Sequence, residues 1–285
     1  MSAVLSVVIP AHNAARWIAA AIDSVRAQAL PTAPDIIVVT DRCSDRTAQI
    51  ALAAGARVID SPTAGPSAAR NAGVTASRSP YIAFLDADDL WPPDSCAARL
   101  ALLDATPDAA MVFGDCRQFD DRDGGQHFHE HTLFAQGGLD AAFFGDAVHV
   151  IDALDKLLDA DFVTTGAVIM RRESFDALGG FDSALHRVED LDLWLRAAAR
   201  FPLIWHAQTA LWRRRHGDNL SRDTRAMHEA YIEVLARLKG LPQAGHLAAR
   251  IRTLQQREHR ALARQAFVAG QPLRAMTHIW QGVRA

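Results

Sequence analysis

The first ninety residues alternate two hydrophobic patterns. Val4–Pro10 is an apolar run of the kind a parallel strand needs when both faces are covered. After it, Ile18, Ile22 and Val25 recur at helical spacing on one face, with Asn13 placed to cap that helix. The alternation continues with a strand at Ile36–Val39, a helix from Asp45 to Ala54 ended by Gly55, a strand at Arg57–Asp60, a helix at Pro66–Ala76 and a strand at Tyr81–Leu85. This order predicts βαβ units and a parallel sheet with covered faces, an α/β fold. Further on, Met111–Phe119 and Phe162–Met170 read as strands, Asp120–Gly125 as a turn-rich loop and Val188–Arg200 as a helix, and a strand-like run ends in Trp212. Three helices are expected beyond Arg222. Their apolar stripes are Met227, Tyr231, Val234, Leu235 and Leu238, then Leu247, Ile251, Leu254 and Leu262, then Met276, Ile279, Trp280 and Val283.

Parallel sheets bind ligands beyond the carboxyl ends of their strands. The residues at those ends are Ala11-His12-Asn13, Asp41-Arg42, Ser61-Pro62 and Asp86-Ala87-Asp88-Asp89. In extended backbone Asp86 and Asp88 point to the same side, which suits a hard divalent cation bridged to a diphosphate. The plain alternative is an acidic loop in which Asp89 or Asp94 caps the next helix. Gly65–Gly73 opens a helix with small residues that let a ligand or a neighbouring backbone come close, and Arg70 one turn in can reach a phosphate or a base carbonyl. Of Glu189 and Asp190, one carboxylate at the start of the helix would be available as a general base; the alternative is a solvated acidic first turn. His216, after Arg213-Arg214-Arg215, can add a metal ligand, against a basic loop that satisfies surface acids. His127, His129 and His131 alternate, which fits an exposed hairpin face better than a metal site.

Composition narrows the field. The 285 residues are 49% hydrophobic and 22% charged, with a formal charge of −3, so a disordered chain and a globally basic nucleic-acid binder are excluded. No uncharged apolar run is long enough to span a bilayer, and the start lacks the basic region of a signal peptide. Three cysteines without CxxC spacing fit a reducing compartment. The charge is uneven. Residues 222–285 hold 11 Lys/Arg against 4 Asp/Glu, a net of +7, whereas residues 1–221 hold 19 against 29, a net of −10. The basic tail can dock on an anionic membrane surface, bind an acidic partner, cover the acceptor cleft, or pack as a solvated cap.

The strings Val7–Asn13, Thr40–Thr47, Gly65–Gly73, Phe84–Asp89, Gly179-Gly180-Phe181-Asp182 and Glu189–Arg196 occur in the order seen in family 2 glycosyltransferases. Over roughly residues 4–221 the chain resembles an inverting GT-A enzyme. The resemblance implies a Rossmann-like, mostly parallel sheet flanked by helices in residues 1–221, with a basic helical appendage in 222–285. It implies a nucleotide-sugar donor, a UDP-sugar first, and Mg²⁺ or Mn²⁺. Pro10, Ala11 and Asn13 would line the nucleotide pocket, Asp41 would bond the base, and Arg70 would lie near the nucleotide. Asp86 would contact ribose or cation, with Ala87 and Glu189 also on the donor, and Asp88 would ligate the metal. Asp190 matches the base that takes the acceptor proton. His216, in the segment Arg215–Ser221, resembles the residue that closes on metal and diphosphate. Two departures concern the nucleobase: Arg42-Cys43 replaces a Gly-Ser turn, and His12 stands where Tyr is frequent. The acceptor would be a glycan, a lipid-linked saccharide or a small molecule, with no nucleic acid, and the setting cytoplasmic or peripheral at the inner membrane face. The other class in play is a catalytically silent nucleotide-sugar or glycan-binding module on the same fold. A nucleotidyltransferase or a dinucleotide oxidoreductase would need a glycine-rich loop after the first strand, and Ala11–Ala15 is not one.

Overall fold

The computed structural model describes residues 3–122, 125–217 and 223–284. The expected division at 221/222 and the segment from Asp218 to Ser221 lie outside them. Eight strands form one sheet in the order β3-β2-β1-β4-β7-β5-β6, with β8 pairing β5. They are β1 (Leu5–Ala11), β2 (Asp35–Thr40), β3 (Arg57–Asp60), β4 (Tyr81–Phe84), β5 (Met111–Arg122), β6 (Gly125–Phe128), β7 (Val168–Arg171) and β8 (Leu203–Arg214). β7 runs antiparallel to β4 and β5, and β6 antiparallel to β5; the other pairings are parallel.

Both faces of the sheet are covered. Val8, Ile37, Val39, Ile82 and Phe84 point into one core, whereas Leu5, Val7, Ile9, Ile36, Val38 and Ala83 point into the other. This two-sided burial is why β1 and β2 carry apolar runs rather than alternation. One core is closed by α1 (Ile18–Arg26) and α4 (Ser95–Asp104). The other takes α3 (Pro66–Ala76), α9 (Glu189–Ala198) and the stripe Val234, Leu235 and Leu238 of α10 (Thr224–Lys239). The remaining long helices are α11 (Ala248–Val268) and α12 (Pro272–Arg284). Short helices complete the molecule: α2 (Thr47–Ala53), α5 (Leu133–Gly137), α6 (Ala141–Phe144), α7 (Ala153–Asp159) and α8 (Arg172–Leu178).

Several expectations shift. Asn13 does not cap α1, which begins at Ile18; its backbone is left-handed (φ 49°) and its Oδ1 accepts from the Ser44 N–H at 2.8 Å. The second helix starts at Thr47, because the Asp45 carboxylate accepts from the Thr47 N–H and, with its other oxygen, from the Ala15 N–H. The expected loop 120–125 is mostly strand: β5 continues to Arg122 and turns back as β6, pairing Asp120 with His127. The expected strand Phe162–Met170 shortens to Val168–Arg171, with a 3-10 turn at Thr165–Ala167 before it. Asp94, left-handed at φ 56°, makes no side-chain cap to α4.

Candidate active site

The strand ends beyond β1, β2 and β4 lie along one rim of the sheet. On β1 the closing residues Pro10 and Ala11 pair with Val39 and Thr40. The Ala11 carbonyl accepts from the Asp41 N–H at 2.8 Å and from Cys43 Sγ at 3.2 Å. His12 Nδ1 donates to the Asp41 carbonyl at 2.6 Å, which leaves Nε2 to accept from Asn13 Nδ2 at 3.4 Å. The Arg42-Cys43 departure thus closes the turn with thiol contacts. Asp41 Oδ2 accepts from the Gly65 N–H at 2.8 Å, tying the β2 end to the start of α3. Gly65 holds φ 112°, a backbone setting that side chains rarely adopt.

Arg70 lies on α3 and is 4% exposed. Its guanidinium donates from Nη2 to Asp86 Oδ1 at 2.8 Å and from Nη1 to Glu189 Oε1 at 2.7 Å. One buried cation, 119 residues before Glu189 in sequence, therefore joins the acidic end of β4 to the acidic start of α9. The two carboxylates hold Arg70 charged against the desolvation of its site. The Glu189 carboxyl is raised, first by burial and then by Asp190, with Arg70 opposing. Asp190, next to Glu189, is half-buried. Its Oδ2 accepts from Thr165 Oγ at 2.8 Å and its Oδ1 from the Leu191 N–H at 2.9 Å. The turn that presents Thr165 is fixed from behind. Trp91 Nε1 donates to the Gly166 carbonyl at 2.7 Å, and Arg99 Nη1 donates to the Ala167 carbonyl at 2.7 Å. Burial pushes Arg99 down.

The end of β8 is zipped to the acidic segment. Trp212 and Leu90 exchange backbone bonds, the Arg214 N–H donates to Asp89 Oδ1 at 2.8 Å, and Arg214 Nε donates to the Asp88 carbonyl at 2.6 Å. Two residues on, His216 Nε2 meets Asp88 Oδ2 at 2.7 Å, and its ring stacks on Trp17 at 4.7 Å. Burial, with Asp88 and Asp86 beside it, raises the Asp89 carboxyl well above the usual range. Ala87, between the aspartates, is buried. Among the described residues, no group of three or more His, Cys, Asp and Glu side chains is set to hold a metal. Asp88 and His216 offer an anionic oxygen and an imidazole nitrogen, a pair that fits Mg²⁺ or Mn²⁺ only when the remaining ligands come from a diphosphate and water. His127, His129 and His131 instead bond the Arg122 carbonyl, bond Asp120 and face solvent, respectively.

A cavity of about 410 Å³ opens beside His216, between Arg16-Trp17 and the β5–β6 hairpin. A larger one, about 550 Å³, lies between the Gly179–Ser183 loop and α10, and Asp86, Asp88 and Asp190 do not line it. Reasoning from sequence missed Thr165 and Asp161. Asp161 reaches solvent yet has a carboxyl raised to about 7, by the surrounding protein and by the Asp190 charge.

The family model of glycosyl transferase family 2 matches residues 6–179. The chain belongs to glycosyl transferase family 2. Among relatives, the succinoglycan biosynthesis protein ExoU of Rhizobium meliloti is 29% identical over 251 residues, covering 81% of this chain and 69% of its own. The chain spans only 58% of the length of the glycosyltransferases of Rickettsia typhi and Rickettsia prowazekii that it also matches. Staphylococcus aureus TarS 1-349, solved with UDP-GlcNAc, superposes with a TM-score of 0.71 at 16% identity, covering 99% of this chain and 79% of that one. The mannosyltransferase PcManGT of Pyrobaculum calidifontis, solved with GDP-Man and Mn²⁺, gives 0.64 at 16% identity, over 100% and 80%. The fold is of the GT-A type, and a C-terminal helical region is present.

Proposed function

We propose that this family 2 chain is an inverting, metal-dependent glycosyltransferase. It moves a sugar from a nucleotide-diphospho-sugar, a UDP-sugar first, to an acceptor hydroxyl, with Asp190 as the general base. The observation that carries this reading is the Arg70 bridge, which brings the Asp86–Asp88 segment and the Glu189–Asp190 pair to one place. Pro10, Ala11, Asn13 and Asp41 line the nucleotide side in this reading, with Asp86, Ala87 and Glu189 on the ribose and sugar side.

Asp88 and His216 would hold the Mg²⁺ or Mn²⁺ ion, which when bound offsets the charge gathered on the leaving diphosphate. The chain's own part is proton transfer and orientation. Asp190 takes the proton of the acceptor hydroxyl as that oxygen bonds to the anomeric carbon, and the bond from that carbon to the diphosphate oxygen breaks on the opposite side. One displacement inverts the configuration. Thr165, donating to Oδ2, keeps the carboxylate in one orientation. The acceptor is a glycan, a lipid-linked saccharide or a small-molecule hydroxyl, not a nucleic acid. The three free cysteines suit a cytoplasmic setting. Residues 1–221 carry the donor chemistry in this account, and residues 222–285 form the helical region beside it.

The test is Asp190→Asn. It should bind UDP with Mn²⁺ as wild type does and lose about 10²–10⁴-fold in turnover, the usual contribution of a general base. Near-wild-type transfer by the variant would remove Asp190 from this role. A donor-hydrolysis assay in which wild type turns over none of a panel of nucleotide-sugars would favour the silent binding module instead.

A further inference from the structure

Exposed large apolar side chains gather in one part of the molecule. Of ten large apolar residues exposed among those described, seven lie between residues 267 and 283. Phe267 and Val268 end α11, at 73% and 87% exposure. On α12, Leu273, Met276, Ile279, Trp280 and Val283 are all more than half exposed. At 100° per residue these five fall in one sector, about a third of the helix circumference. A different flank of α12 meets α11: Ala275 is buried, and a Cβ on Gly282 would sit 3.1 Å from that of His259. The apolar sector is therefore not the face that holds α12 to the protein.

Charge identifies what this face fits. Between Ala248 and Arg284 there are seven arginines and a single acid, Glu258. Glu258 is already engaged by His228 and Arg257. Arg252, Arg260 and Arg264 are exposed and make no ion pair among the described residues. Arg264 stands one turn before Phe267 and Val268. A second copy docked face to face would set arginine against arginine. A lipid surface bearing phosphates takes both features together, because apolar side chains enter the boundary below the headgroups and arginines stay level with the phosphates. No helix among the described residues is long and apolar enough to cross a membrane, so the contact would lie in the plane.

We propose that the α11–α12 hairpin docks the protein on an anionic lipid surface, laying the apolar sector of α12 into the headgroup boundary. This goes beyond the sugar-transfer reading and does not depend on it. The test is sedimentation of the full chain with phosphatidylcholine vesicles, with and without one-third phosphatidylglycerol. Binding is expected to the anionic vesicles at low salt, with release at high salt and little binding to neutral ones. Ile279→Ser/Trp280→Ser and, separately, Arg260→Gln/Arg264→Gln should each weaken it roughly tenfold or more, with unchanged circular dichroism. No sedimentation with anionic vesicles at low salt overturns the proposal, as does equal binding to neutral ones. A concentration-dependent dimer that Ile279→Ser/Trp280→Ser dissociates, without vesicle binding, would instead give the face to a second copy.

Discussion

Arg70 shows how far a single side chain sets this site. Its stem and guanidinium are buried, and it is the shared counter-charge of Asp86 and Glu189. Arg70→Met would leave Glu189 beside Asp190 with no compensating cation. We expect a loss of about 3–5 kcal/mol in urea unfolding, the usual effect of removing one partner of a buried pair. Adding Glu189→Gln should restore part of it. Asp161 offers a second test, with its sign fixed by linkage. Its folded carboxyl lies at about 7, against about 3.9 in an unfolded chain. Between those values the folded state keeps a proton that the unfolded chain has released, so this group's contribution to stability falls as pH rises through the window. Asp161→Asn removes the fall, and its Tm advantage over wild type should widen from pH 5 to pH 8; a constant difference would contradict the assignment. Asp86, Asp88, Arg70 and Asp190 were legible in the sequence because each lies in a short string at a strand end or helix start. Thr165 and Asp161 were not, because Thr165 sits in an apolar run that imitates a strand and both acquire meaning only when α9 brings Asp190 beside them.

At the level of elements, α3 explains its own string of small residues. Ser67, Ala68, Ala69 and Gly73 are buried. A Cβ on Gly73 would fall 2.3 Å from Val8 Cγ1 and 3.1 Å from Val39 Cγ2. Close approach of this helix to the centre of the sheet is thus a packing requirement, whereas the sequence left open whether ligand or backbone was the neighbour. Val8 is β-branched and held in the central strand, so it has little room to yield. Gly73→Ala should cost about 1–3 kcal/mol by overpacking, read as a lower urea midpoint with an unchanged slope. The elements on the β1–β4 half of the sheet followed from periodicity to within a residue or two, since two-sided burial writes a strong signal. The β5–β6 hairpin did not, because its tip is polar on both faces and resembles a loop. The true extent of β7 was hidden as well, because side chains from distant segments, Trp91 and Arg99, pull the preceding residues into a turn.

For the whole molecule, the sheet was readable from the chain, but the fate of the C-terminal helices was not. Similar apolar stripes marked α10, α11 and α12, yet that of α10 and, through Ile251 and Leu254, that of α11 join the body's core, whereas that of α12 stays more than half exposed. Periodicity reports that a face is apolar, not what will cover it. Asp88 is joined to His216 across 128 residues and, through Arg214, to the end of β8, so a ligand at that pair holds several segments in the native arrangement. A ligand that binds only the folded protein raises its stability by about 2.7 kcal/mol at a hundredfold excess over Kd, or roughly 5–10 °C in Tm for a chain of this size. In a screen of UDP-, GDP- and dTDP-sugars, the largest shift should come from a UDP-sugar and require Mn²⁺. Asp88→Ala should lose the Mn²⁺-dependent part, whereas Asp190→Asn should keep it if, as proposed, that carboxylate serves the acceptor. A wild-type shift equal with and without Mn²⁺ would remove the metal from donor binding while leaving the role of Asp190 open to its own test.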